Sequence, residues 1–497
     1  MCYNDKCIIS GQSARVRDIF IWRNSIMKAF KRIAALSAAL VLTAGLAGCG
    51  GSKKSGEDES YVDKVKVEDT DEVAPIADGE ETELEWLSYF DINPSKNAKE
   101  KRVDLDLFEK KGGTIKYSPT TSMVKYDQLA NRVLSNDPPD LFWFEQKMTY
   151  PCYCVKGMFQ PVDDVVDFDK EMWADMKGLA DQFVLGGKHY VAPVSIGPLS
   201  VLTYNKDFIE ANALDDPYDL YMDGDWTWDT WYGLMEEFVN GATGEEQRYG
   251  INGWFGPFIF QSTGKTLIAY DEEKDEFYSN IDDPEFDRAS SLLYDVKKNN
   301  YYYGDWIGSA TECFKKNILF YGMGTWAVSP KEGDNWGIVP MPRDPNTDTC
   351  YTTIDIAAYM WVKGSTKKDA VRCWYECARI AASDPEYTEA GKEKFFVDQP
   401  AWTEEMYEMA NVEPLTDKYV KVVDPGYGIS TVLSNDDAAT NATKEAVIPY
   451  MYTSVMKTDD DGKQFTWTQL RETYSSTIES ELKAFNEEYH KFIKEGN

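Results

Sequence analysis

Two histidines, His189 and His490, are all that this chain of 497 residues carries, so Ser-His, Cys-His and His-metal chemistries are largely closed to it. Its 85 Asp and Glu make paired carboxylates available at almost any spacing, and for that reason their number alone argues for no hydrolytic pair. Among the nine Cys, Cys152 and Cys154 are one residue apart, which is the wrong spacing for a redox pair, and no second pair or His stands near for zinc. A disulfide, if one formed, would involve Cys152 or Cys154. Cys373 and Cys377 share one helical face and read as buried apolar side chains. Asp344, Asn346, Asp348 and Asp355 fall at positions 1, 3, 5 and 12 of a calcium loop, but Thr349 stands where that loop needs Gly and Asp355 where it needs Glu. No metal and no cofactor is expected. His189, in a strand before Tyr190, reads as structural. What remains is non-covalent grip by rings and carboxylates, for which 15 Trp, 31 Tyr and 23 Phe are at hand, although most rings fill cores.

One thiol stands apart. Leu46-Ala47-Gly48-Cys49 closes an apolar run from 33 to 48 that is preceded by Lys28, Lys31 and Arg32 and followed by Gly50-Gly51-Ser52-Lys53-Lys54. A basic start, an apolar stretch too short to span a bilayer comfortably and small residues at the cut make an export signal, read here as residues 27–48. Met27-Lys28 is its natural beginning, and residues 1–26 are read as a mis-assigned upstream start. The tetrapeptide resembles a bacterial lipobox. That implies acylation of Cys49, cleavage just before it, and a mature chain lipid-anchored on the extracytoplasmic face of the cell membrane. A transmembrane anchor is the alternative, disfavoured by the abrupt change of polarity at Gly50.

Removing residues 1–48 takes away seven Lys/Arg and two Asp/Glu, leaving 45 basic against 83 acidic side chains and a net charge of −38. Such a surface repels phosphate backbones, so nucleic acid is excluded as a partner. Residues 49–82 are polar, acidic and almost free of aromatics, which predicts a flexible tether. The rest exceeds what one hydrophobic core usually supports, so two lobes are expected.

Strand and helix patterns alternate, which argues for α/β lobes with mostly parallel sheets. Strands are predicted over 84–90, 114–118 and 140–144, and helices over 96–111 and 126–134. Thr227 caps a helix whose Trp231, Leu234, Met235 and Phe238 repeat at helical spacing. Further helices are predicted from Lys367 and over 467–494.

Several motifs, in order, resemble those of the family 1 extracellular solute-binding proteins that feed ABC sugar importers. Asn136-Asp137-Pro138-Pro139-Asp140-Leu141-Phe142 is similar to that family's entry into a strand, and Gly187-Lys188-His189-Tyr190-Val191-Ala192-Pro193 to a later one. Tyr204-Asn205-Lys206-Asp207-Phe208 resembles the segment after the first crossing between lobes. Asp225-Trp226-Thr227-Trp228-Asp229 resembles a helix start, with Asp-Trp where the family has Pro. Gly324-Thr325-Trp326 and Asn335-Trp336-Gly337-Ile338-Val339-Pro340-Met341-Pro342 complete the series. The chain is longer than a minimal member, mainly over 270–320 and after Asp384.

The resemblance implies a two-lobe periplasmic-binding-protein-like fold of type II, with hinge segments and a ligand cleft between the lobes. Lobe 1 is expected over 83–198 and 348–398, and lobe 2 over 199–347 and, as a helical part, 399–497. It implies a carbohydrate ligand, the permease subunits of an ABC importer as partners, a monomer, and no enzyme activity. Because ligands of open α/β sheets lie at the carboxyl ends of strands, Tyr89, Asp91, Trp143 and Glu145 are expected to face the cleft from lobe 1. Trp254, Phe255 and Trp326 are expected to face it from lobe 2, with Asp355 near the return crossing. Rival readings are a receptor of the same fold for a non-sugar solute, a glycan-cleaving enzyme and an adhesin without a small ligand.

Overall fold

The computed structural model describes residues 67–94, 101–146, 148–434, 446–459 and 461–496. The readings of residues 1–26, the signal peptide, Cys49 and the tether up to residue 66 lie outside the described residues. No helix among those described is long and apolar enough to cross a membrane.

In chain order the main strands are β1 (Glu83–Ser88), β2 (Thr114–Pro119), β3 (Leu141–Trp143), β4 (Ala192–Pro198), β5 (Val201–Asn205) and β6 (Tyr249–Gly253). They are followed by β7 (Ile318–Met323), β8 (Trp336–Val339), β9 (Cys350–Trp361) and β10 (Tyr419–Val422). The helices that position the site are α1 (Val103–Lys110), α2 (Lys125–Leu134), α3 (Trp228–Asn240), α4 (Gly256–Gln261), α5 (Lys368–Ser383), α6 (Pro385–Asp398) and α7 (Trp467–Lys494).

Two sheets form the two lobes. The first has the order β10-β9-β3-β1-β2, with β4 also paired to β9, and the second the order β8-β5-β7-β6. The first is mostly parallel and the second is not. In the first, β1 pairs in parallel with β2 and β3 and β9 with β10, while β9 runs antiparallel to both β3 and β4. In the second only β6 and β7 are parallel. The cause lies in the crossings: β4 ends at Pro198 in the first sheet and β5 begins at Val201 in the second, so the chain changes sheet within two residues and no helix reverses it.

The sequence over 399–497, read as part of lobe 2, serves both lobes. Within it β10 joins the first sheet beside β9, Tyr419 opposite Cys350. Helix α7, about 42 Å long at 1.5 Å per residue, carries an apolar stripe of Ile478, Leu482, Phe485, Tyr489 and Phe492. Phe485 packs on Phe277 of lobe 2, while Phe492 meets Tyr190 and the Tyr489 hydroxyl lies 3.4 Å from the Gly186 amide of lobe 1.

The acidic tether is shorter than its composition suggests. From Val67 on the chain is laid against lobe 1, with Val73 and Ile76 buried. The Ala77 amide donates to Asp369 at 2.7 Å, and Arg372 and Lys111 donate to the carbonyls of Ala74 and Thr70. Two apolar anchors are enough to dock a stretch whose average is polar. The six Cys among the described residues are all free thiols, Cys152 and Cys154 included, and Cys373 and Cys377 are buried on α5.

Candidate ligand-binding site

A cavity of about 250 Å³ opens where the crossing strands meet the helices that follow β9. Its floor is Ser195 to Pro198 of β4 with Asp355 of β9, and Thr325 and Trp326 close it from the second sheet. Tyr387, Thr388, Lys392 and Phe395 of α6 cover it, with Tyr407 and Asn411 behind them.

Asp355 stands opposite Gly197 in the β9–β4 register, so no side chain on the neighbouring strand crowds its carboxyl. Burial pushes its pKa up to about 6, the charge of Glu145 adds to the rise, and the Ile356 amide opposes it. The group therefore accepts hydrogen bonds above about pH 6 and gains a donor proton below it. Trp326 is half-buried in the short turn Thr325–Ala327 that follows β7. Lys392 reaches Glu408 at 2.8 Å and Glu404 at 3.3 Å, with its ammonium 5.5 Å from the Tyr407 ring centre.

Of the residues expected at the site, Trp326 and Asp355 come together in this cavity. Tyr89 and Glu145 come together outside the cavity lining, with Glu145 near enough for its charge to act on Asp355. There Lys125 at the start of α2 pairs with Glu145 and lies 5.2 Å over the Tyr89 ring. Asp91 is exposed and turned back on its own loop, accepting from the Asn93 amide at 2.9 Å and its side chain at 3.0 Å. Trp254 is half-buried, edge-on to Phe258.

Two expectations fail. Trp143 points into the core of lobe 1, 5.3 Å from Tyr359, which is its partner in register, and 6.0 Å from Trp86. Phe255 is fully buried between Trp231 and Tyr302. For Trp143 the strand end was placed but not the face, and one residue of parity sends a side chain to the core; Phe255 lies past the end of β6, at the start of α4, where its ring packs inward. Asp344, first in the calcium-loop pattern, is bound by Arg288, whose Nη1 donates to it at 3.0 Å. The two ring nitrogens of His189 lie between carboxylates, Nδ1 2.7 Å from Asp163 and Nε2 3.0 Å from Asp181. The cavity wall on α6 and beyond was missed. The aromatic run Tyr387, Phe395, Phe396, Trp402 and Tyr407, after the last of the motifs, was the available signal.

A model of the family described as "Bacterial extracellular solute-binding protein" matches residues 105–383. No curated protein matches by sequence. Among solved structures, the ABC substrate-binding protein Lmo0181 from Listeria monocytogenes, in complex with cycloalternan, is 17% identical with a TM-score of 0.51 over 79% of this chain and 99% of its own. The cyclic alpha-maltosyl-1,6-maltose binding protein from Arthrobacter globiformis is 14% identical, TM-score 0.52, over 83% of this chain and 99% of its own. UgpB from Mycobacterium tuberculosis, in complex with glycerophosphocholine, is 12% identical, TM-score 0.54, over 81% and 99%. At these identities the likeness is one of fold, and with the family match over more than half of its length the chain belongs to the bacterial extracellular solute-binding proteins.

Proposed function

We propose that this protein binds a mono- or oligosaccharide between its lobes and delivers it to an ABC importer, while a lipid at Cys49 holds it on the extracytoplasmic face of the membrane as a monomer. The observation that carries the reading is that Trp326 and Asp355 share one cavity. A flat indole covers the C–H face of a pyranose, and a carboxylate accepts hydrogen bonds from its hydroxyls. At about 250 Å³ the cavity lies just below the usual range of ligand sites, about 300 to 1,000 Å³, and suits one sugar ring with the remainder of the ligand outside.

Two of the three relatives named above are described with carbohydrate ligands, and the third with glycerophosphocholine. A phosphodiester is disfavoured here, because Lys392, the cation of the cavity wall, is already shared by Glu404 and Glu408. A solute touching both lobes favours the closed form of a pre-existing equilibrium, and the closed form is what a permease reads. No covalent step is required.

Isothermal titration of residues 50–497 against a glycan panel tests the reading. Binding at micromolar Kd, about −8 kcal/mol, to a carbohydrate supports it. A response confined to peptides, polyamines or glycerophosphodiesters overturns the sugar assignment and leaves the fold standing. Cys49→Ser is expected to move the exported protein from the membrane to the soluble fraction.

A further inference from the structure

Three tryptophans stand at the carboxyl ends of three neighbouring strand positions in lobe 2. Trp326 follows β7, Trp254 follows β6, and Trp306 follows Tyr302, which forms an isolated parallel bridge with Ile251 on the far side of β6. The first pair is tied by the Trp254 amide donating to the Gly322 carbonyl at 2.8 Å. The third member is tied to the same strand. The side chain of Asn252, itself 2% exposed, donates to the carbonyls of Tyr303 at 2.8 Å and Asp305 at 2.9 Å. Tyr321 of β7 donates to the Ile307 carbonyl at 2.9 Å, and Ile307 is buried.

Trp306 is therefore held on both sides, yet 49% of it is in water. A single exposed apolar side chain is ordinary on a protein surface. This one has a fixed backbone and ends a row that begins in the ligand cavity. Two strand spacings separate the ends of the row, roughly 10 Å, which is more than one sugar ring. The Asp305 carboxylate lies beside it, accepting from the Tyr303 hydroxyl at 3.3 Å.

We propose that Trp306 is the outer platform of an extended subsite, so that the ligand is a linear oligosaccharide running from the Trp326 cavity along Trp254 to Trp306. This rests on the carbohydrate reading above and adds the length of the ligand and its direction across lobe 2. Stacking on an indole is tolerant of sugar identity and demanding of position, so Trp306 sets how many rings are held rather than which ones.

The test is a titration series with linear α-1,4- and β-1,4-linked gluco-oligosaccharides and β-1,4-linked manno-oligosaccharides, from disaccharide to hexasaccharide. Each is run against the wild type, Trp306→Ala, Trp306→Phe and Tyr278→Ala, the last removing an exposed ring elsewhere on the surface. The expected result is an affinity that rises with length in the wild type, a loss of about tenfold in Trp306→Ala that grows with length, substantial recovery in Trp306→Phe, and no change in Tyr278→Ala. Melting temperatures equal to that of the wild type show that the variants fold. Wild-type binding with no gain from length, or with the same affinities in Trp306→Ala at every length, overturns the extended subsite and leaves the carbohydrate reading intact. Binding of no carbohydrate by the wild type overturns both.

Discussion

Trp326 folds back over Gly324 so closely that a Cβ at residue 324 would stand 1.6 Å from the indole Cζ3. The glycine makes room for the ring of its own chain, which is thereby pinned at the cavity mouth. Gly324→Ala must displace the indole. It is expected to cost about 1 to 3 kcal/mol of stability through overpacking and to weaken ligand binding about tenfold. Calorimetric melting and titration of the same sample check both effects.

Asp355 couples the site to pH. Its folded pKa is raised from 3.8 to about 6, chiefly by burial, so the folded state holds a proton that the unfolded state has lost. The stability due to that proton is full below about pH 4 and is lost as pH rises through about 6. Asp424 is pushed up to about 6 by burial as well, against the hydrogen bonds from Tyr452 and the Gly426 amide, and adds to the same window. Asp355→Asn keeps an acceptor for the Ile356 amide and removes the buried charge. It is expected to melt higher than the wild type at about pH 7.5, with the gap closing towards pH 4, while binding its ligand more weakly. Melting curves across that range decide it, and a gap that widens on acidification contradicts the assignment.

Where a residue's neighbours in sequence set its structure, the chain was legible. The helix predicted after Thr227 begins at Trp228, with the Thr230 hydroxyl accepting from the Thr227 amide at 2.9 Å. The predicted span 467–494 is the observed α7. Legibility ended where two distant segments decide a side chain's face. Trp143 is a core residue because Tyr359, over two hundred positions later, lies opposite it, and no periodicity in a three-residue strand carries that information. The same holds for Val73 and Ile76, whose docking depends on Asp369 and Arg372 of α5. Trp326 and Asp355, placed by motif position and by the return crossing, both line the cavity, whereas its α6 wall followed no motif.

Arg379 holds the floor of the cavity from behind. Only 3% exposed on α5, it donates from Nε to the Met172 carbonyl at 2.6 Å and from Nη1 to the Val194 carbonyl at 2.8 Å, and it pairs with Asp175. Val194 immediately precedes the cavity residue Ser195. Arg379→Leu strips both carbonyls of their donor and is expected to destabilise the protein by about 1 to 3 kcal/mol, since the Asp175 carboxylate left behind is exposed. Arg379→Lys should recover part of that loss, since one ammonium cannot reach all three partners in the guanidinium's planar geometry. Urea denaturation with an unchanged slope is the measurement.

Asn252 ties the segment that carries Trp306 to β6 through its bonds to the carbonyls of Tyr303 and Asp305. Asn252→Ala leaves both carbonyls without that donor at a position 2% exposed, at an expected cost of about 1 to 3 kcal/mol. The loss should be local in its dynamics, because Tyr303 keeps its backbone bond to Ile251 at 3.0 Å and Ile307 keeps Tyr321. Hydrogen exchange is therefore expected to quicken over 303–307 while the amides of β6 and β7 stay protected. Oligosaccharide affinity should fall in Asn252→Ala in the same length-dependent way as in Trp306→Ala, since an indole on a loosened backbone must be ordered again at each binding event. Faster exchange spread evenly over lobe 2 would mean that Asn252 supports the whole sheet rather than the position of Trp306.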